Sequence, residues 1–247
     1  DYGIGWVPTR THWRSAIDDG TAVKRALLVF GKEPREGSVK TRLIPAIGPR
    51  AATDVYQALL KQALKAGAEA SVDSQTLYLD IKTLASPITH HAKKLGYSID
   101  YQVGDDLGAR MAGAIEQHNQ VAQSVVLIGS DCPDYSAAYI DGAFDALNNT
   151  DAVLGPASDG GYVLIGLRHF DPILFQSIHW SSQQVMTQTR DRLRQLKWVW
   201  QELETLDDVD SAQDLARHDT LADIANLDKS TTSQGTPPVN SSESLNE

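Results

Sequence analysis

Behind the apolar run ALLVF the chain reads GKEPREGSVKTR, Gly31 to Arg42, with Lys32, Arg35, Lys40 and Arg42 set among Glu33, Glu36 and two glycines. Four cations against two acids give this loop a charge of +2 in a chain of net charge −10. Cations on a glycine-bearing loop after a strand suit phosphate oxygens. Gly31 and Gly37 let the backbone come close, Lys32 and Lys40 supply point charges, and Arg42 offers a bidentate fork. The spacing is not that of a Walker loop, because five residues separate the glycines and Ser38 and Val39 precede Lys40 and Thr41. A dinucleotide fingerprint would need a third glycine. The bland alternative is a solvated, charged surface loop.

The second chemistry-bearing stretch is IGSDCPD, Ile128 to Asp134, where the apolar run VVLIG delivers Ser130 and Asp131 onto a turn. A carboxylate at that position suits Mg2+ or Mn2+, hard ions held by one or two carboxylates together with substrate phosphates. Asp134 reads as a turn or cap residue. Further along, LDDVDSAQDL supplies Asp207, Asp208 and Asp210. Asp210 is expected to cap a helix starting at Ser211, and if the segment folds back beside Asp131 the two acids could share a divalent ion.

Two other turns matter. In GDDLGARM, Asp105 or Asp106 is expected to cap a helix, with Arg110 one turn in. In GPASDGGYVLIGL, Asp159, Gly160 and Gly161 form a hairpin signal, and the paired glycines would also let a substrate lie against bare backbone. Cys132, the single cysteine, reads as a small buried hydrophobe. The seven histidines lack zinc-ligand spacing, and no nucleophile elbow occurs.

All these segments follow short apolar runs. ALLVF (26–30), TLYLD (76–80), IDYQV (99–103), SVVLIG (124–129), AVLGP (152–156) and YVLIGL (162–167) have strand length. Between them lie helical stripes: Ala51, Val55, Leu59, Ala63 and Ala66; Leu107, Met111, Ala114, Ile115 and His118; Ala137, Ile140, Phe144 and Leu147; Val185, Thr189, Leu193 and Leu196. Strand–helix alternation predicts a mostly parallel sheet covered on both faces, whose ligands bind beyond the carboxyl ends of the strands.

The 247 residues, 41% apolar, suffice for one α/β domain with tails. Residues 1–22 read as an extension of uncertain structure, 23–228 as the domain, and 229–247, rich in Ser, Thr, Pro and Asn, as a disordered tail. The acidic balance argues against a nucleic-acid surface. No apolar run is long enough to span a membrane, and one cysteine makes the cytoplasm the expected compartment.

Taken in order, FGKEPREGSVKTRLIP, GDDLGARM, IGSDCPD, GPASDGGYVLIGL, WSSQQVMTQT and LDDVDSAQDL resemble the glycosyltransferase-A-like family described as selenodomain-associated transferases, within the nucleotide-diphospho-sugar transferase superfamily. The resemblance spans roughly Ala26 to Leu215 and implies a Rossmann-like α/β/α sandwich (GT-A fold) that binds a nucleotide and a divalent cation, Mg2+ or Mn2+. It implies that Gly31, Lys32, Gly37, Lys40, Arg42, Asp106, Ser130, Gly160 and Gly161 meet the nucleotide, that Asp208 and Asp210 form the second acidic site, and that Asp131 and Asp210 hold the metal. Lys40, Arg42 and Asp159 are the expected catalytic residues. The donor would be a nucleotide or sugar nucleotide and the acceptor a small molecule of unknown identity. Two alternatives remain: a nucleotidyltransferase related to molybdenum-cofactor or phospholactate guanylyltransferases, from which Glu33 and Glu36 in the first loop depart, and a non-catalytic nucleotide-binding module.

Overall fold

The computed structural model describes residues 23–83 and 85–232. Residues 1–22 and 233–247, and with them the expected extension and most of the expected tail, lie outside the described residues. Seven strands form one sheet: β1 (Val23–Gly31), β2 (Ser74–Leu79), β3 (Ser98–Tyr101), β4 (Ala122–Ile128), β5 (Ala152–Pro156), β6 (Tyr162–Leu167) and β7 (Trp200–Glu202), in the order β3-β2-β1-β4-β6-β5-β7. All pairings are parallel except those of β6, which runs against β4 and β5. The carboxyl ends of β1 to β5 and of β7 therefore lie along one rim, and the turn from β5 into β6 lies there too.

Alternate residues of β1 show why its run is continuously apolar. Leu27 and Val29 face one core with α2 (Pro49–Glu69), α3 (Pro87–Lys94) and α5 (Ala137–Ala146). Ala26, Leu28 and Phe30 face another with α4 (Leu107–Asn119) and α6 (Val185–Leu196). A strand buried on both faces has no polar side, so it reads as a block and not as an alternation.

A third, smaller core has direct bearing on the site. Leu43 just before α1 (Ile44–Ile47), Ala52, Val55 and Leu59 of α2, Val209, Leu215 of α7 (Ala212–Leu215), and Leu221 and Ala225 of α8 (Asp219–Thr232) pack together. Leu43 and Val209 are both fully buried there, so one apolar cluster anchors the chain next to Lys40 and next to Asp210. Strand β7 and helices α1, α3 and α8 go beyond the expected elements, while α7 is the helix expected from Ser211. Helix α8 extends to Thr232, so 229–232 are helical rather than part of a structureless tail.

Candidate functional site

The loop behind β1 is fixed from its first residue. The Lys32 backbone N–H donates to the Tyr56 hydroxyl at 2.6 Å, and the Glu33 N–H donates to Asp80 Oδ1 at 2.8 Å. Tyr56, on α2, also bonds Ser130 Oγ at 3.0 Å, so one buried phenol joins the loops behind β1 and β4. Burial and the charge of Asp131 push its pKa well above the usual tyrosine value, which keeps it a neutral hydrogen-bonding group. The loop then turns at Gly37, φ 79°, and at Lys40, which takes a left-handed φ of 45° uncommon for a residue with a β-carbon.

That turn points Lys40 inward. Its side chain is 4% exposed, and Nζ lies 2.6 Å from Asp131 Oδ1 and 3.0 Å from Asp210 Oδ1. Arg42, 78% exposed, donates from Nη1 to Asp210 Oδ2 at 3.1 Å. Between the acids, the Val209 N–H donates to the Asp131 carbonyl at 3.1 Å, so the late segment does fold back beside the β4 loop. Burial works against the Lys40 ammonium, but Asp131 and Asp210 outweigh it and hold its pKa above the ordinary lysine value.

More carboxylate gathers here than Lys40 and Arg42 can pair. Burial pushes Asp208 up to about 7, with Asp131, Asp210 and Asp159 adding repulsion and Lys40 opposing it. The Oδ1 atom of Asp207 is buried without a hydrogen-bond partner. Among the described residues no three acids, histidines or cysteines are already arranged as a metal cage. The carboxylates of Asp131, Asp208 and Asp210 nevertheless offer hard oxygens only, and those fit Mg2+ or Mn2+ better than a soft metal.

Other residues expected at the site take varied places. Ser130 is buried against Tyr56. Asp159 accepts the Gly161 N–H at 2.8 Å in the hairpin turn and lies near enough to Asp208 to raise its pKa. The open side of Gly160, φ 89°, is filled by the Gln183 backbone, where an added β-carbon would come to 2.4 Å, so its bareness serves packing against the segment before α6. Gly31 likewise packs on Leu60 and Tyr56. The Asp106 side chain accepts the Ala109 N–H at 2.7 Å as the cap of α4, and borders a cavity of about 480 Å³ with Phe175 and Gln176, apart from the acids. Cys132 is buried, as expected, and burial pushes its thiol up to about 12.

One expectation is corrected by the local geometry. Asp210 does not cap the helix behind it: Ser211 does, its Oγ accepting the Asp214 N–H at 3.2 Å while the Asp214 carboxylate accepts the Ser211 N–H at 2.7 Å. This reciprocal capping box leaves the Asp210 carboxylate for Lys40 and Arg42. Sequence reasoning also passed over Tyr56 and Asp80. Asp80 directly follows β2 and so sat where acids were being sought, whereas Tyr56, next to Val55 on an apolar stripe, reads as core.

The family described as "Uncharacterized protein conserved in bacteria (DUF2064)" matches residues 56–182, a span that carries Tyr56, Asp131 and Asp159. The chain belongs to this family. Solved structures share the fold of this chain. A protein of Desulfovibrio desulfuricans G20, provisionally named a nucleotide-diphospho-sugar transferase, superposes with a TM-score of 0.74 at 29% identity, over 85% of this chain and 97% of that one. A cytidylyltransferase from Leptospira borgpetersenii serovar Hardjo-bovis gives 0.52 at 14% identity, over 88% and 100%. A CMP:2-keto-3-deoxy-manno-octonic acid synthetase complexed with CTP gives 0.50 at 9% identity, over 83% and 99%. At such identities the last two share the fold alone. The architecture is the α/β/α sandwich of the nucleotide-diphospho-sugar transferase superfamily. No curated protein matches the chain. No helix among the described residues is long and apolar enough to cross a membrane.

Proposed function

We propose that this protein is a divalent-metal-dependent transferase that uses a nucleotide-activated donor, in the manner of a glycosyltransferase. The observation that carries the reading is the meeting of Lys40 and Arg42, from the loop behind β1, with Asp131 and Asp210 at a single rim of the sheet. The likeness to the Desulfovibrio protein supports it, since that name concerns nucleotide-diphospho-sugars.

Asp131 and Asp210 would hold Mg2+ or Mn2+, which neutralises diphosphate charge when bound. Lys40 and Arg42 would hold phosphate oxygens and stabilise the charge that builds on the leaving nucleoside diphosphate. In the transfer, an acceptor hydroxyl forms a bond to the sugar carbon as that carbon's bond to the phosphate oxygen breaks. The bonding pair leaves with the diphosphate, and Asp159 would receive the hydroxyl proton. Buried Tyr56 and Ser130 would keep the two loops at a fixed separation.

Incubation with UDP-, GDP- and CDP-sugars and manganese, followed by product analysis, tests the reading. Release of a nucleoside diphosphate from at least one donor is expected. Transfer of a nucleotidyl group, seen as pyrophosphate released from a nucleoside triphosphate, would replace it, as would metal-independent binding without turnover.

A further inference from the structure

The ammonium of Lys40 already occupies the gap between the two carboxylates proposed as metal ligands. It takes Oδ1 of Asp131 at 2.6 Å and Oδ1 of Asp210 at 3.0 Å, from a side chain only 4% exposed. A lysine is a compact point charge, and a second cation entering beside it would meet like-charge repulsion that its buried side leaves only partly screened. Arg42 is no such obstacle, since it reaches the outer Oδ2 of Asp210 from solvent.

The Lys40 backbone is held. Its carbonyl accepts the Leu43 N–H at 2.8 Å, and Leu43 is fully buried in the third core. The ammonium can therefore leave by side-chain rotation more readily than by movement of the loop. What it needs is an anion to go to. A diphosphate arriving over the glycine-bearing loop supplies one as the carboxylates are being given up to another cation.

Resting on the function proposed above, we infer that the site takes the nucleoside diphosphate group as its metal chelate, and that Lys40 makes the free divalent ion a poor ligand. Ion and diphosphate are accepted together because each removes an obstacle to the other.

Manganese binding to the full chain without nucleotide, followed by loss of the free-ion electron paramagnetic resonance signal, tests this. Lys40→Met is expected to bind the ion at least tenfold more tightly than wild type, and Lys40→Arg, which keeps the charge, as weakly as wild type. Equal affinity in wild type and Lys40→Met overturns the inference and leaves the parent reading standing. If no ion binding depends on Asp131 in either protein, with or without CDP, GDP or UDP, both fall. Wild type alone suffices should the variants not fold: tight binding of free manganese that no diphosphate strengthens also overturns the inference.

Discussion

Lys40 Nζ lies 2.6 Å from Asp131 Oδ1, bridging two loops that leave adjacent parallel strands, β1 and β4. The pairing is more than a surface contact, because the lysine is almost wholly buried while Asp131 remains 43% exposed. The cation is enclosed on its own side, and the acids are open on the other, with Asp210 47% exposed. The third core fixes both margins, through Leu43 on one segment and Val209 on the other.

Tyr56 should act as a strut between those loops. Tyr56→Phe leaves the Lys32 N–H and Ser130 Oγ without their shared partner, and is expected to cost about 1–3 kcal/mol of stability. The comparison is Tyr97→Phe, which loses a 3.0 Å bond to the Leu64 carbonyl on the far part of α2. Chemical denaturation should show losses of similar size for both. Only Tyr56→Phe should weaken metal-dependent nucleotide binding, by about tenfold; equal nucleotide affinity in the two variants would remove the strut role.

Two glycines with nearly the same backbone angle should respond very differently to alanine. Gly37, φ 79°, has open space where a β-carbon would go, whereas at Gly160, φ 89°, that carbon would sit 2.4 Å from the Gln183 carbonyl oxygen. Gly37→Ala should cost about 1 kcal/mol, the left-handed strain alone. Gly160→Ala must also displace the segment before α6 and should cost at least about twice as much. Thermal denaturation of the two variants side by side decides it.

His118 should set an acid limb on stability. Burial lowers its pKa to about 4, with Asp100 opposing, and its Nε2 lies 3.1 Å from the Tyr78 hydroxyl. Between the unfolded value near 6.5 and about 4, the unfolded chain takes a proton that the native chain refuses. Stability from this group is therefore full above about 6.5 and falls as pH drops, by about 3 kcal/mol at most once pH is below 4. His118→Gln should flatten that part of the profile relative to wild type in denaturant titrations at pH 7, 5.5 and 4.5. An unchanged slope would contradict the assignment.

What the sequence disclosed and what it hid follow from where each residue points. β1, β4, β5 and β6 are legible because strands buried on both faces are unbroken apolar runs. β7 is three residues at the sheet edge with an exposed middle, too short for a periodic signal. Helix α8 buries Leu221 and Ala225 against α2 rather than against the sheet, so its stripe is thin and its composition reads as polar. At the site, Lys40, Arg42 and Asp131 stand out because charge is unusual directly behind an apolar strand. Asp210 was noticed for the right place and the wrong duty, because Asp and Ser are both good caps and only the partner three residues on, Asp214, selects Ser211. Tyr56 gave no signal at all, since an aromatic on a buried stripe announces packing, while its function lies in one hydroxyl whose partners come from two distant loops.

The account stands on the cationic loop and the acidic rim forming one site, and calorimetric titration of CDP, GDP, UDP and their sugar conjugates with and without manganese tests that most directly. Wild type should bind at least one of them in a manganese-dependent way, and folded Asp131→Asn should bind it at least tenfold more weakly with no response to the metal. Full metal-dependent binding by Asp131→Asn would contradict the account.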